Sequence, residues 1–338
     1  MKKKLFVSIL IFIFIAFYIL SIKIYSSKNK ELSVEKTVIG PLDTVVNIKL
    51  YGTDDEGKIN KGMFLVDEIE NAISSHIETS EVSALNRGEI INASPYILEV
   101  INSGIYYSML SNGDFDISIG SLTGLWNFTD DTLSNYQIVP SKNAISEALK
   151  TVNYNNIVIK DNTIQVVNNS KIELGGIGKG YVADKLVEFY KKEKIDNALI
   201  SLGGNIFAMG SKYGETPFKV GIKKPYTNEN LGYLEVENKS IVSSGPYERS
   251  FTVDGKRYHH ILDPETGYPA NSDLLQTTII SDISADGDAL STITYILGAE
   301  KGMELIESLP NIECIFYTTN NEILKSSGIN KKITFIEG

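Results

Sequence analysis

Apolar and polar residues alternate with two different periods along most of this chain. The β-branched run from Thr44 to Tyr51, closed by Gly52, predicts a strand. Apolar residues at helical spacing predict amphipathic helices over about 63–73 and 97–109. Further helices are predicted near 142–149, 182–192 and 283–297. No unit of this pattern repeats along the chain.

Two turn dipeptides separate short apolar runs and predict β-hairpins. Asp161 and Asn162 lie between the runs 157–159 and 164–167, and Asp254 and Gly255 lie between 251–253 and 256–258. Another strand is predicted over 277–281. Because strands and helices do not alternate regularly, we predict an α+β domain with a mixed or antiparallel sheet and flanking helices, not a doubly wound parallel sheet.

The N-terminus has a different pattern from the rest of the chain. Three lysines follow Met1, and the 18 residues from Leu5 to Ile22 carry no charge. A helix needs ~20 residues to cross a bilayer, and no small-residue cleavage site follows this run. We therefore predict an uncleaved membrane anchor over 1–27, a short tether over 28–40 and one globular domain over 41–338. The lysines favour a cytoplasmic tail, which places the domain outside the cytoplasm.

Charge and cysteine content exclude several classes of function. Among 338 residues, 42 are acidic and 32 basic, and the resulting net charge of -10 disfavours nonspecific nucleic-acid binding. An anionic ligand must therefore be bound by local positive groups. Cys314 is the single cysteine and lies in an apolar run, which indicates a buried structural thiol. One cysteine cannot form a disulfide within the chain.

The run from Lys171 to Asp184 holds the most informative motif, four glycines within six residues between a short strand and a helix. Backbone N–H groups at a helix N-terminus, with the helix dipole, form a binding site for phosphate oxygens, and Lys179 adds a positive charge. The spacing matches neither of the common nucleotide-binding glycine motifs. The alternative is a tight turn that only lets the helix approach the sheet.

Two other segments suggest ligand contacts, each with a structural alternative. Gly203 and Gly204 interrupt an apolar strand, so the chain either bulges there or lets a flat ligand approach. Asp114 and Asp116 would place two carboxylates on one side of an extended segment, able to bind a base or ring edge, or simply be solvated in a turn.

A possible metal site lies at the start of the helix after Ile283. Asp288, Ser291 and Thr292 occupy positions i, i+3 and i+4, which share one helix face. Their hard oxygens suit Mg²⁺, whose shell is usually completed by phosphates and water. Helix capping alone also enriches such residues at a helix start.

Histidine supplies the candidate general base. His260 lies in a polar loop region, and its ordinary pKa near 6.5 suits proton transfer. The alternative is a structural imidazole bonded to Asp263 or to a backbone carbonyl. We take His76, which follows an amphipathic helix, as structural.

Taken together, these segments resemble the FAD:protein FMN transferases, also called the ApbE family. The resemblance covers about residues 42–319, in order, and rests on eight motifs rather than on any one of them. They are the segments starting at Leu42, Ser80, Gly113 (with Trp126), Glu173, Leu202, Ser244, His260 and Asp288.

The resemblance implies a set of site residues. Catalytic roles fall to His260 and Asp288. The Mg²⁺ ligands would be Asp288, Thr292, the backbone carbonyl of Gly176 and Ser291. FAD contacts are implied for Leu42, Glu81, Val82, Ser83, Asp114, Phe115, Asp116, Glu173, Lys179 and the backbone near Leu262.

This sequence departs from the family pattern at four points. The family often has Asp at the positions of Glu173 and Ser291, and Met at that of Leu42. Glu173 can still accept a hydrogen bond, whereas Ser291 removes a charge from the metal site. The family's usual lipid-bearing cysteine is absent, and the apolar N-terminal run would replace it as the anchor.

The implied reaction is Mg²⁺-dependent transfer of FMN from FAD to a Thr or Ser hydroxyl of another protein, with release of AMP. His260 or a nearby carboxylate would accept the hydroxyl proton. Two alternatives remain: an FAD pyrophosphatase with water as acceptor, and a surface protein that binds flavin without turnover. The metal-binding helix face disfavours pure binding. By analogy with the family, the acceptor would be an extracytoplasmic redox protein with a short Asp-x-x-(Ser/Thr)-Gly-Ala-(Thr/Ser)-type motif.

The anchor hypothesis predicts that residues 1–27 only tether the protein. A fragment that starts near residue 30 should therefore stay soluble and keep the FAD affinity of the full chain. Size-exclusion chromatography and a flavin titration check this. Aggregation, or loss of flavin binding, would contradict the assignment of the N-terminal segment as a tether.

Overall fold

A computed structural model describes residues 32–128, 138–214 and 216–338. The predicted anchor, residues 1–27, lies outside the described residues. Within the described part of the chain, no helix is long and apolar enough to cross a membrane.

The strands and helices follow one another in the irregular order expected of an α+β domain. The helices are α1 (Glu56–Ile73), α2 (Glu81–Asn86), α3 (Pro95–Leu110), α4 (Gly120–Trp126), α5 (Lys142–Leu149), α6 (Gly178–Lys192) and α7 (Ser284–Ser308). The strands are β1 (Ser33–Ile39), β2 (Val45–Tyr51), β3 (Ile91–Asn92), β4 (Ile157–Lys160), β5 (Thr163–Val166), β6 (Asn197–Leu202), β7 (Asn205–Met209), β8 (Phe218–Lys223), β9 (Asn230–Val236), β10 (Lys239–Ser244), β11 (Ser250–Val253), β12 (Lys256–His259), β13 (Leu274–Ser281), β14 (Glu313–Thr318), β15 (Ile323–Lys325) and β16 (Thr334–Glu337).

An eight-stranded sheet in the order β1-β2-β6-β7-β10-β13-β14-β15 forms the centre of the domain. Each neighbouring pair in it is antiparallel. The predicted α+β class with an antiparallel sheet is therefore confirmed. The strand β1 overlaps the predicted tether, which consequently extends too far: residues 33–39 belong to the sheet because they pair with β2 along its whole length.

The two faces of this sheet are buried by different partners. On neighbouring positions of β13, Ile279 belongs to the core under the helices, whereas Ile280 belongs to a second core. That second core lies under a three-stranded sheet, β16-β9-β8. Such alternation is expected because successive side chains of a strand point to opposite faces. Cys314, in β14, is fully buried in the helix-side core, as the sequence indicated.

Both predicted hairpins form, as β4–β5 and β11–β12. Asp161 and Asp254 adopt positive φ at their turns, a conformation that Asp tolerates better than most residues. The second hairpin lies beside a cluster of aromatic side chains around Trp126, whose indole N–H donates to the carbonyl of Gly267 at 2.8 Å. This contact fixes the loop that follows His260.

The N-terminus of α7 is held by a side chain of α6. Asp184 accepts hydrogen bonds from the backbone N–H groups of Ser284 and Ala285, at 2.7 and 2.9 Å. Since Ile283, at the helix N-cap, makes no capping bond of its own, Asp184 satisfies donors that the helix leaves free. Burial raises the pKa of Asp184 to about 7.

This raised pKa predicts a pH-dependent stability. The native state holds a proton that the unfolded chain has lost between pH 3.8 and about 7, so the free energy of unfolding should fall as pH rises through that range. Asp184→Asn should flatten this part of the profile, and Asp254→Asn, at an exposed hairpin turn, should leave it unchanged. Denaturant unfolding at several pH values measures the effect. An equally steep profile for Asp184→Asn would contradict the assignment.

Candidate functional site

Several backbone N–H groups of the glycine loop are hydrogen-bonded within the protein and are not left open for a phosphate. The N–H groups of Ile177 and Gly178 both donate to the carbonyl of Leu174, at 3.0 and 2.7 Å. Gly175 N–H donates to the Glu173 carboxylate at 2.9 Å. Most of the donors that the sequence assigned to phosphate are thus already used. At the N-terminus of α6, the N–H of Gly180 also has a partner, the Asp288 carboxylate, so Lys179 supplies the positive charge that this loop offers to an anion.

The four glycines of the loop have different roles. A Cβ on Gly180 would collide with the backbone carbonyl of Ser284, so this glycine permits the close approach of α6 to α7. Gly178 is buried, and a Cβ there would lie 3.2 Å from Ile73. Gly175 is exposed and meets only the Glu173 carboxylate, at 3.1 Å. Gly180 and Gly178 are therefore needed for packing, whereas the edge of the loop at Gly175 is open to solvent.

Asp288 connects the glycine loop to α7. Its side chain is almost fully buried, and its Oδ2 accepts the backbone N–H of Gly180 at 2.9 Å. Its Oδ1 lies 3.5 Å from the ammonium of Lys179, which also donates to the Gly175 carbonyl at 3.1 Å. The structure thus brings together two predicted site residues, Lys179 and Asp288, that are more than 100 residues apart in the sequence.

Thr292 faces the same place as Asp288. Its Oγ1 lies 3.6 Å from the position that a Cβ on Gly176 would take. No hydrogen bond from this hydroxyl is formed within the described parts of the chain. A neutral oxygen without a partner is thus left beside the glycine loop, where a cation could use it.

Ser291 is directed elsewhere, contrary to its predicted role as a metal ligand. Its hydroxyl contacts the backbone carbonyl of Asp288 at 2.8 Å and the hydroxyl of Ser244 at 2.7 Å. The side chain is fully buried between α7 and β10. Position i+3 of a helix lies close to position i+4 but points about 100° away from it, which explains why the sequence spacing grouped the two.

The proposed ion would have few charged ligands. Within residues 32–128, 138–214 and 216–338, no group of three or more acidic, histidine or cysteine side chains is arranged to hold a metal. Among the predicted metal ligands, Asp288 supplies the carboxylate, and the others would supply neutral oxygens. This set fits a hard cation whose shell is completed by phosphate oxygens and water.

His260 is bonded to a backbone carbonyl, as the structural alternative expected. Its second ring nitrogen is still able to accept a proton. Its Nδ1 donates to the backbone carbonyl of Arg249 at 3.2 Å, because that oxygen can only accept. The Nε2 is then the atom with the free lone pair. Desolvation lowers the pKa of His260 to about 3, and the positive charge of Arg249 acts in the same direction. The imidazole is therefore neutral at physiological pH.

Glu248 belongs to the site although sequence reasoning missed it. Its side chain is reached by solvent, yet desolvation by the surrounding protein raises its pKa. The charges of Lys179, Asp288 and Arg249 all act on it. Its Oε1 lies 3.2 Å from the position of a Cβ on Gly204. Its place in the Ser244 motif, next to a glycine turn, was the signal that could have identified it.

The second glycine pair forms a hairpin turn rather than a bulge. Gly203 and Gly204 connect β6 and β7, and Leu202 pairs with Asn205 across the turn. Gly203 adopts a φ of +67° and lies against Thr44, because a Cβ there would be 2.5 Å from the Thr44 hydroxyl oxygen. The turn therefore lies between the segment after Leu42 and the Glu248 loop.

The Asp114–Asp116 segment differs from its prediction. The chain bends at Asp114 and Phe115 instead of forming an extended stretch. Asp116 is buried, and its oxygens accept from the Ser118 N–H, the Ser118 hydroxyl and the Tyr154 N–H at 2.7 to 2.9 Å. It is a structural residue in this arrangement. Asp114 is partly exposed, and Phe115 packs against Gly176.

The remaining predicted contacts lie on two sides of the glycine loop. Glu173 accepts the hydroxyl of Ser75 at 2.6 Å, which places it beside the segment that follows α1. Of the predicted residues in α2, Val82 and Ser83 are buried and Glu81 accepts the N–H of Ser94. Their side chains are therefore committed to the protein interior and to helix capping.

Leu42 occupies an unusual backbone conformation, with a φ of +56°. Its N–H donates to Glu70 at 2.8 Å, and Arg249 donates to the carbonyl of Asp43 at 3.1 Å. Arg249 thus joins the Leu42 turn to the His260 loop. The side chain of Leu262 is buried in the aromatic cluster, which leaves only its backbone for a ligand.

Comparison with known proteins identifies the family. The sequence profile of the ApbE family matches residues 42–316. The chain belongs to the ApbE family. An FAD:protein FMN transferase of Treponema pallidum is 30% identical, over 92% of this chain and 91% of its own length. Another, from Klebsiella pneumoniae, is 31% identical over 89% and 93%.

Solved structures support the same assignment. The ApbE protein of Thermotoga maritima superposes with a TM-score of 0.81 at 29% identity, covering 89% of this chain and 99% of that one. The flavin transferase ApbE of Vibrio cholerae shares the fold, with a TM-score of 0.78 at 24% identity over 89% and 99%. The site described above thus lies in an ApbE domain.

Substitutions at two glycines distinguish a glycine that is needed for packing from one that is needed for ligand contact. Gly180→Ala should destabilise the protein by about 1–3 kcal/mol, the usual effect of overpacking, because the methyl group meets backbone of α7. Gly175→Ala should leave the melting temperature nearly unchanged, because its methyl group meets only a movable carboxylate, and should weaken FAD binding. Thermal melts and flavin titrations on both variants test this.

A substitution at Gly178, such as Gly178→Val, would confound the two effects because Gly178 is buried against Ile73. Gly175→Ala with full FAD affinity would show that the loop's exposed edge does not contact the flavin dinucleotide.

Proposed function

We propose that this chain transfers the FMN half of FAD to a Thr or Ser hydroxyl of an acceptor protein, with Mg²⁺ as cofactor and AMP as the leaving product. The observation that carries the proposal is the meeting of Lys179, Asp288 and Thr292 around the glycine loop. There a cation and an anionic diphosphate can be bound side by side. The curated relatives named above support the reaction, because both are FAD:protein FMN transferases.

The residues present fit a Mg²⁺ ion. Asp288 supplies a buried carboxylate and Thr292 an unpartnered hydroxyl that lies beside Gly176, whose backbone carbonyl we propose as a third ligand. Bound there, the ion would neutralise charge on the phosphoanhydride of FAD. We do not include Ser291, because its hydroxyl is held by Ser244 and by the helix backbone.

Positioning and charge neutralisation supply most of the catalysis in phosphoryl transfer. The acceptor oxygen attacks the FMN-side phosphorus, the bond from that phosphorus to the AMP oxygen breaks, and the hydroxyl proton passes to Nε2 of His260. The hydrogen bond to Arg249 keeps the proton on Nδ1 and so leaves Nε2 free. Lys179 stabilises the charge that develops on the phosphate oxygens.

We also propose that the domain is tethered to the outer face of the cell membrane. The uncharged run from Leu5 to Ile22 and the three lysines before it support this placement. An acceptor in the same compartment, an extracytoplasmic redox protein with a flavinylation motif, would then be within reach.

Incubation with FAD, Mg²⁺ and a candidate acceptor tests the function. A transferase adds the mass of FMN to the acceptor and releases AMP. Release of free FMN and AMP without a mass change would identify a pyrophosphatase. Bound, unchanged FAD would identify a flavin-binding protein.

The metal proposal predicts the behaviour of two variants. Asp288→Asn removes the charged member of the proposed ligand set and should lower the transfer rate at least ~100-fold, the scale of losing one preorganised electrostatic group. Thr292→Val removes a neutral oxygen but keeps the shape, so its loss should be smaller. Transfer rates against Mg²⁺ concentration measure both, with circular dichroism as the folding control. If Asp288→Asn keeps the parent's rate and Mg²⁺ dependence, the metal lies elsewhere.

A further inference from the structure

The ammonium of Lys179 lies beside the carboxylate of Asp288, which is the charged ligand of the proposed metal site. Its ammonium is 3.1 Å from the Gly175 carbonyl, to which it donates, and 3.5 Å from Oδ1 of Asp288. The side chain is 29% exposed, while that of Asp288 is only 3% exposed. The lysine thus covers the solvent side of a buried carboxylate.

The two carboxylate oxygens of Asp288 have different kinds of partner: one a backbone group, the other a side chain. Oδ2 is held by the backbone N–H of Gly180, which cannot move without α6. Oδ1 is held by a flexible side chain that ends in an ammonium. Only the second partner can be exchanged while the carboxylate keeps its orientation.

One carboxylate cannot favourably hold Lys179 and a divalent cation together. The two cations would lie within a few ångströms of each other, and their repulsion is large where water is scarce. A buried carboxylate without any cation is also unfavourable. The site therefore needs one positive group at Oδ1 at a time.

We propose that Lys179 occupies the cation position at Asp288 until Mg²⁺ binds, and then moves to the phosphate oxygens of the flavin dinucleotide. Lys179 acts as a positioning residue for Asp288 in the first state and as a phosphate ligand in the second. This exchange rests on the Mg²⁺ site proposed above. It makes Mg²⁺ binding and FAD binding mutually reinforcing, since each favours the released lysine.

The rate at which Lys179 reacts with an acetylating reagent shows whether its ammonium is paired with Asp288. An ammonium held against a carboxylate reacts slowly, whereas a released side chain reacts faster. The full chain is labelled briefly without metal, with Mg²⁺ alone, and with Mg²⁺ and FAD, and acetylation of each lysine is read by peptide mass spectrometry. Lys185, on the same helix and 2.7 Å from Glu99, is the matched control.

We expect Mg²⁺ alone to increase acetylation of Lys179 at least ~5-fold, the lower end of typical coupling between sites. Addition of FAD should then reduce it, because phosphate oxygens cover the ammonium. Lys185 should not change in any state. In Asp288→Asn, Lys179 should react quickly from the start and ignore Mg²⁺.

Calorimetry of Mg²⁺ binding provides the second measurement. Lys179→Met should bind Mg²⁺ at least ~5-fold more tightly than the parent, because the competing cation is gone, and should bind FAD more weakly. Lys185→Met should match the parent in both titrations. A lysine that only packs beside the loop would leave Mg²⁺ affinity unchanged.

The two ways of failing are distinguishable. If Mg²⁺ binds with a heat that Asp288→Asn abolishes, but Lys179 labelling and the Lys179→Met affinity do not respond, the exchange is wrong and the metal site stands. If no Mg²⁺ binds at Asp288, the exchange is overturned together with the metal site.

Discussion

The close approach of α6 to α7 is the constraint on which the candidate site depends. Gly180 leaves room for the carbonyl of Ser284, and Asp184 reaches across to the first N–H groups of α7. Only at this separation can Asp288 accept the N–H of Gly180. A larger residue at position 180 would separate the glycine loop from the helix that supplies the acidic group.

Electrostatic balance is the second organising feature of the site. The chain carries a net charge of -10, yet its candidate ligand is an anion. Lys179 and Arg249 supply local positive charge, and Arg249 also connects the Leu42 turn to the His260 loop. The carboxylates of Asp288 and Glu248 lie within reach of Lys179, which offsets part of their repulsion of a diphosphate.

The scaffold under these loops is a sheet buried on both faces. Helices cover one face and a small antiparallel sheet covers the other, so β10 and β13 lie deep in the domain. The loop after β10 carries Glu248 and Arg249, and α7 follows β13. Groups that bind charge are therefore mounted on rigid, buried elements, which limits the motion that a ligand must arrest.

Sequence alone determined the α+β class, both hairpins, the main helices and the position of the glycine loop, because these depend on local periodicity and on turn residues. It also placed Asp288 and Thr292 on one face of the same helix, since positions i and i+4 share a helix face. Only the tertiary structure decided how individual polar groups are used. Asp116 and Ser291 have residue types suited to a ligand, but nearby hydroxyls and backbone groups occupy them. Glu248 joined the site, and Lys179 met Asp288, through contacts between distant segments, which no local pattern records.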